Sequence, residues 1–385
     1  MNKQTKTYTV YFALDGFLGL FEDSQQPWTI GGAEIQMYYL ASSLADLPNV
    51  NVILLYSNKA SIPTISHPHI QTVEYRKPID RGMPFVSRRY NREINDAQFG
   101  TQSDVSFFMA TNNEPIWLLN EAKLNGIPVI FRINGDSLVD GMGLITEEAQ
   151  ARIDDYILTA DGIVVQNINQ QSALRSRYNR SSRMIPNSFN KKDVLRAKGG
   201  KCTSSAQDSV LWVGRVDAIK RPWIIAELAR RLPDVQFVCA LHNRGGDTLY
   251  RQTLYDLNIL PNVRTHISLD PQDLVPLYRE ATLVINTSST EGFPNTLIEA
   301  SLAEKPYLSL EVDPSGLLSD GTLGLCAQGD NELFIRQIQS LLSDSKRQKT
   351  IGEQANKFAQ DNWSIDKVTS QYLEYAEEVY VSKHQ

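Results

Sequence analysis

"TLVINTSSTEGFPNTLIEA", residues 282–300, reads as a β-branched strand ending near Thr287, a turn at Gly292 and a helix opening at Pro294. Proline suits a first helical position because it has no N–H to leave unpaired and its fixed φ is already helical. A helix that starts at the carboxyl end of a parallel strand puts its unpaired amides and positive dipole end where open α/β sheets take their ligands.

The pattern repeats outward from this unit. Toward the N-terminus, apolar runs at 7–14, 50–56, 104–110, 127–133 and 162–166 alternate with helix-length segments such as 33–47. Residues 190–209 are polar, small and glycine-containing without period, which marks a linker. The alternation restarts with strands at 210–216, 235–241, 262–267 and 282–287 and helices at 222–232 and 271–281. Alternating strands and helices imply parallel sheets wrapped by helices. The 385 residues exceed the roughly 250–300 at which one core stops growing, so two tandem Rossmann-like domains are expected, with a site in the cleft between them. The segment after Trp363 is an amphipathic helix, 366–385, whose aromatic spacing marks burial against the protein, with the N-terminal domain as a candidate partner.

The composition, 42% hydrophobic and 21% charged, is that of an ordinary globular protein. A net charge of −6 disfavours nucleic acid as a partner, since phosphate neutralisation needs clustered Lys and Arg. The first residues read as a strand rather than a signal peptide, and no apolar run reaches the roughly 18 residues of a membrane helix, so a cytoplasmic chain is expected. Cys202, Cys239 and Cys326 are far apart and lack a CxxC pattern, as expected of reduced thiols without zinc. His67 and His69 have no third ligand nearby in sequence, and no loop-borne Asp-x-Asp suits Mg2+. No metal or other cofactor is expected.

Glu291 and Glu299 lie eight positions apart. At 1.5 Å rise per residue they are separated by roughly 7–10 Å along one turn and its helix. A glycosidase pair must instead flank one bond from opposite faces. A molecule that touches both has hydroxyls at each end and phosphates in the middle, which describes a nucleotide sugar.

"EGFPNTLIEA" is joined, in order along the chain, by "GGAEIQMYYLASSLA", "DGIVVQN", "MIPNSFN" and "VGRVDAIKRP". Together they resemble glycosyltransferase family 4 (group 1), retaining enzymes of the GT-B fold, in which two Rossmann-like domains with parallel sheets face across a cleft. The resemblance implies an N-terminal acceptor-side domain at 1–190, a linker at 191–209 and a nucleotide-sugar-binding domain at 210–365. It implies that Glu299 holds the donor ribose and that Glu291 contacts the sugar near its reacting end. The amides around Gly292, Phe293, Asn295 and Thr296 then hold sugar hydroxyls and the distal phosphate, with Pro294 also lining the donor site. Arg215 and Lys220 take the role of the paired cations that stabilise the departing diphosphate in place of a metal ion, a role for which Arg221 is a competitor. Gly31 and Gly32, at a helix start, match the loop over the donor phosphates. His266 falls near the family's nucleobase pocket.

The chain departs from the family at "VIFRINGDS", where many members carry a His and this sequence has Asn134. Asn cannot shuttle a proton at neutral pH. Arg132, Asn134 and Asp136 are therefore site-lining candidates, with Asp136 the candidate base if one is needed.

"RKPIDRGMPFVSRRYNR", 76–92, holds six positive residues against one Asp. Interleaved with apolar side chains, it suits either an anionic membrane surface or an anionic acceptor. The expected activity is transfer of a hexose from a nucleoside diphosphate sugar to a glycan or lipid-linked hydroxyl in surface polysaccharide synthesis. A nucleotide-sugar epimerase of the same fold and a non-catalytic binding subunit are the alternatives.

Overall fold

A computed structural model describes residues 6–13, 31–57, 65, 67–76, 95–96, 98–101, 103–111, 114–140, 146–190, 209–242 and 248–385. The basic stretch beyond Arg76, nearly all of the 191–209 segment and Cys202 lie outside them. The chain separates into two compact units: one ends at Pro186 and also takes in Ile365–Gln385, and the other is Asn187–Ser364.

The first unit is built from β1 (Tyr8–Ala13), α1 (Gly32–Ala45), β2 (Val50–Tyr56), β3 (Ile70–Glu74), β4 (Val105–Ala110), α2 (Ile116–Leu124), β5 (Val129–Arg132), α3 (Glu147–Thr159), β6 (Gly162–Val165), α4 (Ile168–Tyr178) and β7 (Arg183–Met184). Its sheet has the order β3-β2-β1-β4-β5-β6-β7, and every pairing is parallel. Alternate residues of one strand feed opposite cores, because both faces are covered. Val10 and Phe12 pack with Met37, Leu40 and Leu44 of α1, whereas Tyr11 joins Leu118 of α2 and Ile157 of α3.

The second unit comprises β8 (Ser209–Arg215), α5 (Trp223–Arg231), β9 (Gln236–His242), α6 (Thr248–Asn258), β10 (Val263–Ile267), α7 (Pro271–Glu280), β11 (Leu283–Asn286), α8 (Asn295–Leu302), β12 (Tyr307–Ser309), β13 (Gly324–Cys326), α9 (Asn331–Leu342) and α10 (Ser345–Asn362). Its all-parallel sheet runs β10-β9-β8-β11-β12-β13. One face buries Trp212, Phe237 and Ile285 under α5 and α9, and the other buries Leu211, Val284 and Tyr307 under α7, α8 and α10.

The last helix, α11 (Ile365–His384), belongs to the first unit and packs on α1 and β4. It buries Ile365, Val368, Tyr372, Ala376 and Val379, a stripe at helical spacing. At about 1.5–3 kcal/mol for each large apolar side chain, this packing outweighs what propensity supplies to a single helix. The helix sits so close to β6 that a Cβ on Gly162 would lie 2.7 Å from Val379 Cγ2. Polar contacts fix the other positions. Ile163 N donates to the Tyr375 hydroxyl at 3.0 Å, and Lys383 Nζ lies 3.2 Å from Asp161.

Strands β3, β7, β12 and β13 do not announce themselves in the sequence. Three of them have only two or three residues, and β3, "IQTVE", is only partly buried and carries polar residues at three of its five positions. No helix among the described residues is long and apolar enough to cross a membrane.

Candidate functional site

In the second sheet, β8 stands between β9, which follows it in the chain, and β11, so connections leave this point in opposite directions. The carboxyl ends of strands flanking such a reversal form a ready crevice. Two loops meet there: 216–222 after β8 and 287–294 after β11.

The loops are tied to each other through backbone groups. Ser289 N donates to Ile219 O at 2.9 Å, and the Thr287 hydroxyl donates to Lys220 O at 2.6 Å while accepting from Trp212 Nε1 at 3.0 Å. The tight turn falls on Arg221, which takes a left-handed φ of 48°. That conformation is costly for a residue with a Cβ and persists only where its surroundings hold it. The guanidinium supplies the hold: Nε donates to Thr287 O at 2.6 Å, Nη2 donates to Ser288 O at 3.0 Å, and Nη2 also lies 2.8 Å from Glu311. Arg221 is therefore committed to backbone carbonyls and does not compete with Lys220.

Lys220 faces the site instead. Its Nζ lies 2.7 Å from Glu291 Oε2, and the two side chains are only 20% and 13% exposed. The other carboxylate oxygen of Glu291 accepts from the Ser288 hydroxyl at 2.6 Å and from Asn286 Nδ2 at 3.3 Å. A lysine ammonium has three donors, so Lys220 can keep Glu291 and still take a phosphate oxygen. Arg215 is the last residue of β8, which ends one position before the strand read from the sequence, and pairs with Asp217 at 3.1 Å. Asp217 in turn accepts from Lys220 N at 2.9 Å, which sets both cations on one braced loop.

Pro294 is the N-cap of α8 rather than its first helical residue, with an extended ψ of 122°. No side chain caps this helix start. Asn187 Nδ2 holds the turn by donating to Phe293 O and Asn295 Oδ1, each at 2.7 Å. Gly292 is buried and is absent from the residues with left-handed φ, so the turn does not depend on a glycine-only conformation there. Thr296 shares a hydrogen bond of 3.0 Å with the hydroxyl of buried Tyr307. On the second turn, Glu299 accepts a hydrogen bond from the hydroxyl of Tyr278. Burial, followed by the nearby glutamate charges, raises both phenols well above their ordinary 10.0 and keeps them neutral.

The remaining candidates stand on other elements. His266 is the fourth of the five residues of β10 and lines a cavity of about 80 Å³ with Ser209, Gln236, Arg264 and Glu280. Its lining includes the first residues of β8 and β9 and the end of α7 but no residue of the loops that carry Lys220 and Glu291, so the structure does not gather His266 with them.

In the first unit, Gly31 is the N-cap of α1 and Gly32 its first residue, one position before the start read from the sequence. Arg132 is the last residue of β5. It is 2% exposed, and its Nε donates to the Tyr372 hydroxyl of α11 at 2.9 Å while Nη1 donates to Asn134 Oδ1. A guanidinium only donates, so the Asn134 carbonyl must face it. Asp136 opens a short 3-10 turn and accepts from Asn167 Nδ2 at 2.8 Å.

Tyr278, Asn187, Asn286 and Asp217 were not singled out from sequence. Asn187 and Asp217 stand inside quoted motifs, but nothing local distinguishes a hydrogen-bonding anchor from a turn residue. Tyr278 reads as an ordinary core position of α7. Among the described residues no three His, Cys, Asp or Glu side chains gather to hold a metal ion.

Residues 207–344 match the family model described as glycosyl transferases group 1. Among curated proteins the chain is similar to the D-inositol 3-phosphate glycosyltransferase of Corynebacterium kroppenstedtii, 29% identical over 39% of this chain and 36% of the relative. The enzyme of the same name from Thermobifida fusca is 23% identical over 59% of each chain. The matched region thus spans about a third to three fifths of the length of these relatives. Among solved structures, sucrose-phosphate synthase from Thermosynechococcus elongatus superposes with a TM-score of 0.72 at 18% identity, covering 98% of this chain and all of that one. Anabaena HepE, crystallised with UDP and glucose, has a TM-score of 0.68 at 15% identity, covering 96% and 99%. The fold is therefore that of the GT-B class, two α/β domains with parallel sheets.

Proposed function

We propose that this chain is a retaining, metal-independent glycosyltransferase of family 4 that moves a hexose from a nucleoside diphosphate sugar to a hydroxyl of a glycan or glycolipid, in building a surface polysaccharide. The observation that carries the reading is the Lys220–Glu291 pair at the β8/β11 reversal, beside the uncapped start of α8. The group 1 match over 207–344, the names of the relatives and the UDP-sugar complexes of HepE support it.

In this reading the donor diphosphate lies at the α8 start between the loops, with Glu299 on the ribose and Glu291 on the sugar. As the glycosidic bond breaks, negative charge grows on the departing phosphate. Arg215 and Lys220 are fixed where that charge develops, which favours the transition state over the ground state. The leaving phosphate takes the proton of the attacking hydroxyl on the same face of the sugar, so configuration is retained without a dedicated base. The acceptor falls to the first unit, and the basic stretch 76–92 serves either an anionic bilayer or an anionic acceptor.

Incubation with a panel of nucleotide sugars, with and without acceptor glycans, tests the reading by nucleoside diphosphate release. Release that requires an acceptor, an unchanged anomeric configuration in the product and insensitivity to EDTA are expected. Conversion of the donor to an isomer without an acceptor contradicts it, as does inertness toward every donor.

A further inference from the structure

Tyr278 sits on α7 with 4% of its surface exposed and donates its hydroxyl to Oε2 of Glu299, a residue of a different helix. Its ring is packed in the core beneath α8, among Leu211, Val284, Leu297 and Ile298. The donor is therefore rigid, and the acceptor is a half-buried carboxylate at the site.

The terminal torsion of a glutamate is broad and two-fold, so a carboxylate without such a partner rotates through many orientations. A rigid phenol donating to one oxygen pins the plane of the group. The consequence concerns selectivity. When a pinned acceptor meets a ligand that lacks the matching hydroxyl, it is left aimed at nothing and the missing bond is costly. An unpinned carboxylate turns toward water and loses little.

We propose that Tyr278 is the positioning residue that makes Glu299 discriminate a ribose from a deoxyribose in the bound nucleotide. This deepens the nucleotide-sugar reading and rests on it. Burial and the glutamate charge keep the phenol protonated, so the contact persists through the working pH range.

The test is calorimetric titration of the full chain with UDP, GDP and ADP, followed by the 2′-deoxy and 3′-deoxy forms of whichever diphosphate binds. The wild type is expected to prefer the ribonucleotide by about tenfold or more, as for a hydrogen bond to a charged group. Tyr278→Phe, which keeps every ring carbon, is expected to lose most of that preference by weakening the ribonucleotide while leaving the deoxy forms nearly unchanged. Glu299→Ala should show the same reduced preference, and adding Tyr278→Phe to it should change nothing further. A preference kept whole in Tyr278→Phe overturns the proposal, as do equal losses for both sugars, the mark of a merely structural role. Binding of none of the three diphosphates by the wild type overturns this proposal and the nucleotide-sugar reading together.

Discussion

Lys220 Nζ lies 2.7 Å from Glu291 Oε2, although the two residues come from loops that follow different strands, 71 positions apart in the chain (291 − 220). The pair closes the crevice between β8 and β11 and places a cation and a carboxylate at one point.

Removing either member should be felt in transfer more than in folding. Lys220→Ala is expected to lower turnover by on the order of 10²–10³, the cost of losing one preorganised charge at a developing anion. The part-buried carboxylate left behind should cost about 1–3 kcal/mol of stability, and Lys220→Ala with Glu291→Ala should cost less than Lys220→Ala alone. Steady-state kinetics and urea melts of the three variants check this.

Arg221 carries backbone strain and its remedy in one residue. Arg221→Gly relieves the left-handed φ but loses the bonds to Thr287 O and Ser288 O, whereas Arg221→Ala loses the bonds and keeps the strain. Arg221→Ala is expected to be less stable than Arg221→Gly by about 1 kcal/mol. Both should raise KM for the donor, and urea midpoints with donor titrations are the measurements.

A Cβ at residue 162 meets Val379 and the Tyr375 hydroxyl. Gly162→Ala is expected to cost about 1–3 kcal/mol through overpacking. Adding Val379→Ala should recover part of that loss, and denaturant unfolding of the single and double variants decides.

The Tyr8 hydroxyl donates to the Glu377 carboxylate, which also pairs with Lys6 at 2.8 Å. Burial, then Glu377, pushes Tyr8 from 10.0 to about 12; this raised group contributes stability that is present below pH 10 and lost as pH climbs through about 12. The hydrogen bonds from Lys6 and Tyr8 hold Glu377 below its ordinary 4.5; this depressed group contributes stability that is present above pH 4.5 and lost as pH falls below it. Glu377→Gln should flatten the acid limb of a plot of unfolding free energy against pH, and an unaltered limb counts against the assignment.

Cys239 is buried within the core of the second sheet, and burial pushes its thiol up to about 12. Its reaction with a thiol reagent should proceed only as fast as the unit opens, while Cys326, partly exposed, reacts sooner. Mass-resolved labelling in native buffer and in urea separates the two.

The long buried strands were legible because a parallel strand covered on both faces is nearly continuously apolar, as in "YTVYFA" and "VNVILLY". The two- and three-residue strands β7, β12 and β13 were not, since they leave too few positions for a period to show. At the site, Glu291, Glu299 and Lys220 stood out as charges in a strand-turn-helix unit. The choice between Lys220 and Arg221 did not, because neighbours in sequence can point in different directions and a left-handed φ at Arg221 decides which one does.

Sequence alone thus determined the alternation of strands and helices, the place of the turn before α8 and the types of charge brought to it, because periodicity and turn chemistry act within a few residues. Only the tertiary structure decided which side chains meet: Arg132 with Tyr372 of the last helix, Tyr278 with Glu299, His266 with a cavity lined by none of the loop residues. Those partners lie on separate elements, and their meeting depends on how packed helices are set against a sheet, which no local pattern of residues encodes.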